Sequence, residues 1–466
     1  MDFLESINNQ INSIVWGPYM LVLLVGTGIF FTILSKCLQV SKIKLWCSAT
    51  FGKLFSKKGR DGDKDVNITP FQAVTTAMAS TVGTGNIVGV ATAIFSGGPG
   101  ALFWMWVSGF FGMMTKYAEI VLAMKYRETD EKGMHHGGPM YYIEKGLKMK
   151  WLAIVFAAFG TLATFGIGNM TQANAIAGSL FDSFKIPYIV TGIVIAAICA
   201  LVIIGGIKRI ATVTEKLVPF MSIFYVLGGI IILCMNAGRL PGTFATIFSN
   251  AFSIQSVGGG ILGFTIMKAM RYGVARGVFS NEAGLGSAPI AHAASSKKDP
   301  VEQGLWGIFE VFVDTIIICS ITGLVIISSG LYSGEISGIT LTLASFSQTF
   351  GTVGGYFVSI AILCFAGSTI LGWSYYGQQC LRYLTKDNNN ADMVYKIVFC
   401  CLTIVGATGG FTSVWKAADT LRGLTFVWDL ADTLNGLMAI PNLLALLLLY
   451  KTVMTLTKEY LAKKRN

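Results

Sequence analysis

The sequence predicts an all-α integral membrane protein, and three observations lead to that fold class. The 466 residues are 53% hydrophobic and only 13% charged, whereas a soluble domain carries roughly 25% charged residues. Apolar segments long enough to cross a bilayer recur along the whole chain. Two of these segments are interrupted by glycine-rich polar stretches, which a helix surrounded by lipid does not tolerate. This composition excludes a soluble enzyme.

The apolar segments predict 11 transmembrane helices in a single domain that covers residues 1–466. The last part of this domain, residues 451–466, is predicted to be a cytoplasmic tail. The stretch Met1–Glu5 lacks the basic residues of a cleavable signal peptide, so we expect the first helix to be retained. The approximate bounds of the eleven helices are 16–35, 70–95, 101–124, 151–181, 187–206, 216–236, 258–296, 303–329, 350–384, 394–412 and 424–450.

Basic residues indicate how the chain is oriented in the membrane. If the first helix enters from outside, 28 of the 35 Lys and Arg residues, Lys116 among them, fall on the inner side. The positive-inside rule then places the N-terminus outside the cell and the C-terminus in the cytoplasm. The formal net charge of +11 is therefore a sign of topology, and we expect no nucleic-acid partner.

The cysteine and histidine patterns favour structural roles. The nine cysteines lie mostly inside apolar segments and form no CxxC pair, as small hydrophobic residues do. His135 and His136 have no third ligand at a suitable spacing, so a polar inner loop is favoured over a metal site. The segment Leu240–Gln255 has apolar residues at helical spacing, which predicts an amphipathic helix on the outer side.

The stretch Ala79–Gly89 breaks the second predicted helix. It holds three glycines among several hydroxyl and amide side chains, and a glycine in a helix interior costs about 1 kcal/mol relative to alanine. Inside a membrane, an unwound backbone persists only where it lines a cavity or binds a polar group. Free carbonyls before the break suit a small cation, and free N–H groups after it suit a carboxylate. The alternative is a glycine kink that serves helix packing.

A second stretch, Ala283–Ser287, resembles Val82–Asn86 at an offset of 201 residues, or five predicted helices. Because five is odd, the second copy crosses the membrane in the opposite direction. We therefore predict two inverted five-helix repeats, helices 2–6 (about 68–236) and helices 7–11 (about 258–450), with helix 1 (about 16–35) as an addition. Helices 2 and 7 are the broken ones.

Ionisable residues in the seventh helix have open roles. Glu282 lies at the second break, where an intramembrane carboxyl group is a functional candidate. Its alternative role is a structural pair with Arg276 that holds the break in shape. Lys268 is unusual for a membrane segment and receives no role.

Polar residues also interrupt the fourth and ninth helices, at Gly166–Asn174 and Ala366–Tyr376. Thr369 and Trp373 are four residues apart and therefore share one helix face. A hydroxyl there suits an ion, and the indole suits the wall of a pocket. The alternative for such a serine or threonine is a hydrogen bond to its own helix backbone.

Several long motifs resemble one known family over nearly the whole chain, from about Trp16 to Tyr450. They are Thr75–Ile94, Gly97–Ala101 with Phe103–Trp106, Gly137–Tyr142, Tyr272–Gly277 with Ser280–Ala288, and Gly372–Gly377. These residues are similar to those of the alanine/glycine:cation symporter family. The resemblance implies sodium-coupled uptake of alanine or glycine on the fold of the neurotransmitter:sodium symporters.

The resemblance also implies site residues by position. The sodium ligands would be the carbonyls of Ala79 and Val82 and the hydroxyls of Ser368 and Thr369. The substrate would contact Thr84, Gly85, Asn86, Gln172, Phe279, Asn281 and Trp373. The N–H groups of the first break would take its carboxylate, and the bulk of Phe279 and Trp373 would admit only a small side chain.

These expectations describe a secondary transporter in the cell membrane, and not an enzyme. It would import alanine or glycine with sodium by alternating access, and it would need no cofactor. Its partners would be the substrate, sodium and the lipid bilayer, and we expect a monomer. Coupling to protons through Glu282 is the nearest alternative, and a channel that uses the breaks as a filter is the next. The preference between alanine and glycine, and between D- and L-isomers, stays open.

Overall fold

Nearly all of the described chain is helical. The computed structural model describes residues 2–54, 67–252, 262–409 and 420–464. The helices of the first half are α1 (Asp2–Val15), α2 (Pro18–Leu34), α3 (Leu38–Ser41), α4 (Ile43–Ala49), α5 (Phe51–Leu54), α6 (Pro70–Thr81), α7 (Val90–Gly97), α8 (Gly100–Tyr126), α9 (Pro139–Leu147), α10 (Lys150–Phe165), α11 (Thr171–Phe184), α12 (Tyr188–Ile203), α13 (Gly206–Met235) and α14 (Leu240–Ala251). Those of the second half are α15 (Leu262–Asn281), α16 (Ala288–Ala293), α17 (Pro300–Val311), α18 (Ser320–Ser329), α19 (Gly338–Phe350), α20 (Thr352–Thr385), α21 (Asn389–Ala407), α22 (Thr420–Leu448) and α23 (Tyr450–Lys463).

Helix occupies each of the eleven segments predicted to cross the membrane. Within the described chain, 7 helices are long and apolar enough to span a bilayer, and the bent pair Pro70–Thr81 and Gly85–Gly97 makes this up to 8. The predicted ends 258–261 and 410–412, and part of the basic residues counted for orientation, lie outside the described residues. The structure therefore supports a multi-pass membrane protein, while the number eleven stays a prediction.

Helices outside the eleven segments complete the fold. The sequence analysis did not foresee α1, α9, α19 or α23. The helix α14 coincides with the amphipathic helix predicted over Leu240–Gln255, of which residues 253–255 lie outside the described chain. It packs on α8, α15 and α18, so the predicted helix is confirmed for its described part, while its location on the outer side stays a prediction.

The loop after α8 forms a small hairpin. Strand β1 (Glu128–Thr129) pairs antiparallel with β2 (His135–His136). The ring of His136 contacts the carboxylate of Asp130 at 3.1 Å and the side-chain oxygen of Gln379 at 2.9 Å. The two histidines thus lie in a polar loop, as predicted.

The two broken helices lie side by side and run in opposite directions. The half before the first break, α6, packs on α16, the half after the second break, while α7 packs on α15. At one end of this pair, Ile68 precedes α6 and Ser295 follows α16, and the two residues form a bridge. The N–H of Ser296 donates to the carbonyl of Ile68 at 2.8 Å. An inverted repeat requires this direction, and the repeat arrangement itself stays a prediction.

Helix packing divides the bundle into two groups. In one group α8 packs on α15, α16 and α17; in the other, α20 packs on α10, α11 and α21. The helix α6 contacts both groups through α16 and α20. The first break, which directly follows α6, therefore lies between the groups.

Candidate functional site

The first break begins where α6 ends, at Thr81. The backbone of Val82 (φ −79°, ψ 87°) leaves the helical region, and a π-helical turn, Gly85–Gly89, leads into α7 with a bend of 46°. An added Cβ at Gly83 would overlap the hydroxyl of Thr369, so this close approach admits only glycine. The predicted break in the second helix is confirmed.

The polar groups of the first break are only partly satisfied. The N–H of Gly83 donates to the Asn86 side-chain oxygen at 2.9 Å, and the N–H of Thr84 reaches the Gln172 oxygen at 3.4 Å. The hydroxyl of Thr84 is buried and has no hydrogen-bond partner among the described residues. A buried hydroxyl without a partner costs free energy, so this break retains capacity to bind a polar ligand.

Three of the four predicted sodium ligands converge at the end of α6. The hydroxyls of Ser368 and Thr369 lie 3.2 and 3.1 Å from the carbonyl oxygen of Ala79. Both hydroxyls also donate to the Phe365 carbonyl of their own helix, at 2.8 and 2.9 Å. Val82, the fourth, is buried one residue beyond α6.

The predicted substrate residues of the fourth and seventh helices also face the first break. A π-helical turn, Gly166–Met170, precedes Gln172, whose amide N–H donates to the Ile167 carbonyl at 2.9 Å. An added Cβ at Gly85 would lie 2.9 Å from the Cα of Ser280 and 3.3 Å from the Phe279 ring. The start of the half-helix after the break therefore touches α15 directly.

Two predicted substrate residues, Asn86 and Asn281, already use their side chains inside the protein. The Asn86 amide donates to a carboxylate oxygen of Asp314 at 2.7 Å. The Asn281 amide donates to the Thr315 hydroxyl at 3.0 Å and its oxygen accepts from the Ala283 N–H at 3.0 Å. Both asparagines therefore brace the breaks, and any substrate contact they make is an additional one.

Trp373 links the ninth helix to the second break. Its indole N–H donates to one carboxyl oxygen of Glu282 at 2.8 Å, and the Ser287 hydroxyl donates to the other at 2.6 Å. Arg276 instead pairs with Asp432 at 3.2 Å. The alternative of a Glu282–Arg276 pair is therefore wrong. The chain turns at Glu282, which has φ +57°, so its side chain meets α20 and not the preceding turn of α15.

The structure adds buried ionisable residues that the sequence analysis did not select. Asp314, in the apolar eighth helix, accepts hydrogen bonds from Asn86, from the Ser280 hydroxyl at 3.0 Å and from the Thr315 hydroxyl at 2.9 Å. An acidic residue inside an apolar span is itself a functional signal. That rule, applied to the eighth helix, would have found Asp314.

Lys116 is a second addition and also a correction. It was counted among the inner basic residues, but it lies fully buried within α8. Its ammonium group lies 2.9 Å from a carboxylate oxygen of Glu310 and donates to the carbonyl of Asn281 at 2.7 Å. The other oxygen of Glu310 contacts the His292 ring at 3.1 Å. The charge of Lys116 thus compensates a buried carboxylate and carries no information on orientation.

Glu119, three residues further along α8, faces the second break. One carboxyl oxygen accepts from the N–H groups of Gly284 at 3.0 Å and Gly286 at 3.1 Å, and from the side-chain amide of Asn442. The second oxygen is buried without a partner among the described residues. Partners 165 to 323 residues away along the chain leave no local pattern from which this contact could be predicted.

The chain is similar over its whole length to known transporters. A family model described as the sodium:alanine symporter family matches residues 1–466. The chain is 47% identical over 474 residues to the sodium/alanine symporter AgcS of Methanococcus maripaludis, covering 100% of this chain and 99% of that protein. It is 37% identical over 467 residues to the amino-acid carrier protein AlsT of Bacillus subtilis, covering 100% and 93%. These relatives are transporters and not enzymes.

A solved structure shares the fold. The crystal structure of MhsT in complex with L-phenylalanine matches 82% of this chain and 99% of that chain with a TM-score of 0.56. The two sequences are 15% identical, so the likeness concerns the fold alone. It supports the fold class that the sequence motifs imply.

Proposed function

The chain belongs to the sodium:alanine symporter family, and we propose that it imports alanine or glycine together with sodium across the cell membrane. One observation carries the proposal: the Ala79 carbonyl faces the hydroxyls of Ser368 and Thr369 beside an incompletely satisfied break. Oxygen ligands for a cation and N–H groups for a carboxylate are thereby adjacent. A sodium ion needs the oxygen ligands, and the carboxylate of a zwitterionic amino acid needs the N–H groups.

Sodium fits the oxygens of the proposed cation site. Small hard cations take oxygen ligands from carbonyls and hydroxyls, and each hydroxyl retains lone pairs for an ion. The carbonyl of Val82 would complete the set with Ala79, Ser368 and Thr369. Because α6 contacts both packing groups and α20 belongs to one of them, an ion here would tie the end of α6 to the α20 group.

The substrate would lie against the first break. We assign its carboxylate to the N–H groups that open the half-helix, at Gly85 and Asn86, where the helix dipole favours an anion. The Asn86 N–H donates to the Gly83 carbonyl at 3.2 Å and would exchange that bond for the carboxylate. The unpartnered hydroxyl of Thr84 offers a further hydrogen bond. Gln172 would be a polar contact, as would Asn281 if its side chain turns from its present partners. The rings of Phe279 and Trp373, both buried, would restrict the side chain to the size of alanine or glycine.

Alternating access would follow from the inverted repeats, helices 2–6 and 7–11. The inner excess of basic residues supports an outside N-terminus and a cytoplasmic C-terminus. Moving one charge through 100 mV supplies about 2.3 kcal/mol, and a tenfold sodium gradient adds about 1.4 kcal/mol. Together, about 3.7 kcal/mol supports roughly 500-fold accumulation with one ion.

Proton coupling is a second candidate, and Asp314 is the observation that favours it. In the described structure the carboxyl group of Asp314 accepts hydrogen bonds from neutral donors, Asn86, Ser280 and Thr315. A proton could therefore bind to one carboxyl oxygen if one of these donors turns away. Glu282, with Trp373 and Ser287 as donors, is a comparable group. Sodium is preferred because hydroxyls, which do not titrate, surround the Ala79 carbonyl.

Proteoliposome uptake decides between these functions. The purified protein is supplied with labelled alanine under a sodium gradient, a lithium gradient or a proton gradient alone. We expect saturable alanine accumulation with sodium, inhibited by unlabelled glycine. Accumulation under the proton gradient alone would favour the second candidate. Ion current without saturable alanine flux would overturn symport in favour of a channel.

A further inference from the structure

The second break contains a carboxyl group supplied by the protein itself. The carboxyl group of Glu119 is fully buried and one of its oxygens accepts three N–H donors, from Gly284, Gly286 and Asn442. Hydrogen bonds of this kind favour the charged form of a carboxyl group. The tip of the Glu119 side chain thus lies where a free carboxylate ion would lie if it bound to the loop.

The backbone of the second break is shaped for this contact. Gly284 (φ +95°) and Gly286 (φ +81°) both adopt left-handed conformations, and alternating conformations of this kind turn successive N–H groups toward one anion. An added Cβ would lie 2.8 Å from the Leu24 side chain at the first glycine and 2.6 Å from Pro139 at the second. Both positions therefore require glycine.

The repeat relates these glycines to the first break. At the offset of 201 residues, Gly284 corresponds to Gly83 and Gly286 to Gly85. Gly85 opens the half-helix to which the substrate carboxylate is assigned above. In the second break the N–H group of Gly286, the equivalent of Gly85, already donates to the carboxyl group of Glu119.

A cation accompanies the anion in the second break. The ammonium group of Lys116 donates to the carbonyl of Asn281, the last residue of α15, at 2.7 Å. This is the end of a half-helix, as Ala79 is near the end of α6. Lys116 and Glu119 are three residues apart and therefore share one face of α8.

We propose that Glu119 is a built-in anion of the second break, whose carboxylate takes there the place that the substrate carboxylate takes in the first. The inference rests on the proposed function for the first break. Glu119 is a positioning residue: it fixes the loop that carries Glu282 and hence its bond to Trp373. Removal of its carboxylate leaves a site for a small monovalent carboxylate.

Acetate rescue of Glu119→Ala tests the proposal, because the substitution removes a CH2–COO− unit that acetate matches in size and charge. The variant is solubilised and purified in sodium acetate or in sodium gluconate, whose anion is too large for the space. We expect a higher Tm in acetate than in gluconate for the variant alone, and alanine uptake that is about tenfold higher in acetate, equivalent to about 1.4 kcal/mol. Wild-type protein should show neither difference.

Glu119→Gln is the matched control. Its amide oxygen still fills the space and accepts from the two glycine N–H groups, so acetate should change neither its Tm nor its uptake. An equal acetate response in Glu119→Gln or in the wild type would overturn the proposal, because the ion would act elsewhere. So would a Glu119→Ala protein that ignores acetate, or one that folds in neither salt. The Tm readout requires no transport, so a failure of alanine uptake in the wild type would contradict only the proposed function.

Discussion

The two breaks differ in how their polar backbone is satisfied. In the second break a carboxyl group, an ammonium group and an indole N–H meet the loop from α8 and α20, through Glu119, Lys116 and Trp373. In the first break neutral amides and hydroxyls contact the backbone, the carboxyl group of Asp314 contacts only the Asn86 side chain of this break, and the hydroxyl of Thr84 has no partner among the described residues. In the second break a side chain of the protein occupies the N–H groups of Gly284 and Gly286, and the first break leaves the Thr84 hydroxyl for a ligand.

This difference separates stability from binding between two breaks of similar sequence. Buried charges are tolerated where each is paired and hydrogen-bonded, which holds for Lys116 with Glu310. A ligand, in contrast, stabilises only the state that binds it. We therefore expect substitutions at the second break to impair folding first, and substitutions at the first break to alter affinity in a protein that remains folded.

The largest effect is expected for Lys116→Met. The variant leaves the buried carboxylate of Glu310 without its ammonium partner, and breaking a buried pair in this way costs about 3–5 kcal/mol. We expect a strong loss of folded protein in size-exclusion chromatography and of alanine uptake. The double variant Lys116→Met/Glu310→Gln, which removes the unpaired charge, should recover much of the folded fraction.

Lys145→Met is the control for that loss. Lys145 pairs with Glu128 at 2.6 Å, but its side chain is 38% exposed and that of Glu128 52%. Exposed pairs contribute about 0–1 kcal/mol, so this variant should fold and transport like the wild type. Equal losses for Lys116→Met and Lys145→Met would mean that burial of the charge network has no special role in the second break.

A smaller effect, on affinity alone, is expected for Thr369→Val in the first break. Valine retains the shape of threonine but removes a hydroxyl that lies 3.1 Å from the Ala79 carbonyl. One hydrogen bond or ion ligand of this kind contributes about 1 kcal/mol of net free energy. The sodium concentration for half-maximal uptake should therefore rise roughly five- to tenfold. Uptake at saturating sodium should change little.

Thr403→Val provides the matched control for the loss of a buried hydroxyl. The Thr403 hydroxyl donates to the Phe399 carbonyl of its own helix at 3.1 Å and lies in α21, away from both breaks. The Thr403→Val variant should need the same sodium concentration for half-maximal uptake as the wild type. If Thr369→Val also keeps the wild-type sodium dependence in vesicle uptake, Thr369 does not belong to the cation site.

The first break could be predicted from the sequence because its signals are local. Three glycines within the apolar stretch Ala79–Gly89 indicate unwinding wherever the stretch packs. The helix face shared by Thr369 and Trp373 follows from their spacing alone. The structure brings Thr369 to Ala79 as the family resemblance implies.

The contacts of the second break could not be predicted in the same way. Glu119 meets Gly284 across 165 residues, and neither residue has a sequence neighbour that indicates the other. Lys116 lies within α8, and a count of basic residues cannot distinguish a buried ammonium group from an exposed one. The pairing of Glu282 with Trp373 depends on the left-handed turn at Glu282, which residue type alone does not specify.

The smallest effect on alanine transport, and the sharpest on selectivity, is expected at Trp373, which bonds to Glu282 in the second break and packs on Gly168 of the fourth helix. Trp373→Phe removes the N–H bonded to Glu282 but keeps an aromatic wall, whereas Trp373→Ala removes both. Each methylene that a hydrophobic pocket gains or loses changes discrimination by about 1–3 kcal/mol. We expect inhibition of alanine uptake by leucine to strengthen at least tenfold in the alanine variant, as about 1.4 kcal/mol implies.

Comparison of Trp373→Phe with Trp373→Ala separates the two roles of the indole, which are to limit the size of the pocket and to bond Glu282. If Trp373 only limits the size of the pocket, Trp373→Phe should retain wild-type selectivity and wild-type uptake. If its bond to Glu282 also transmits the shape of the second break to the first, Trp373→Phe should lower alanine uptake although leucine remains excluded. Continued rejection of leucine by a folded Trp373→Ala would show that Trp373 does not set pocket size, and Phe279, on the opposite helix α15, would then be the wall that does.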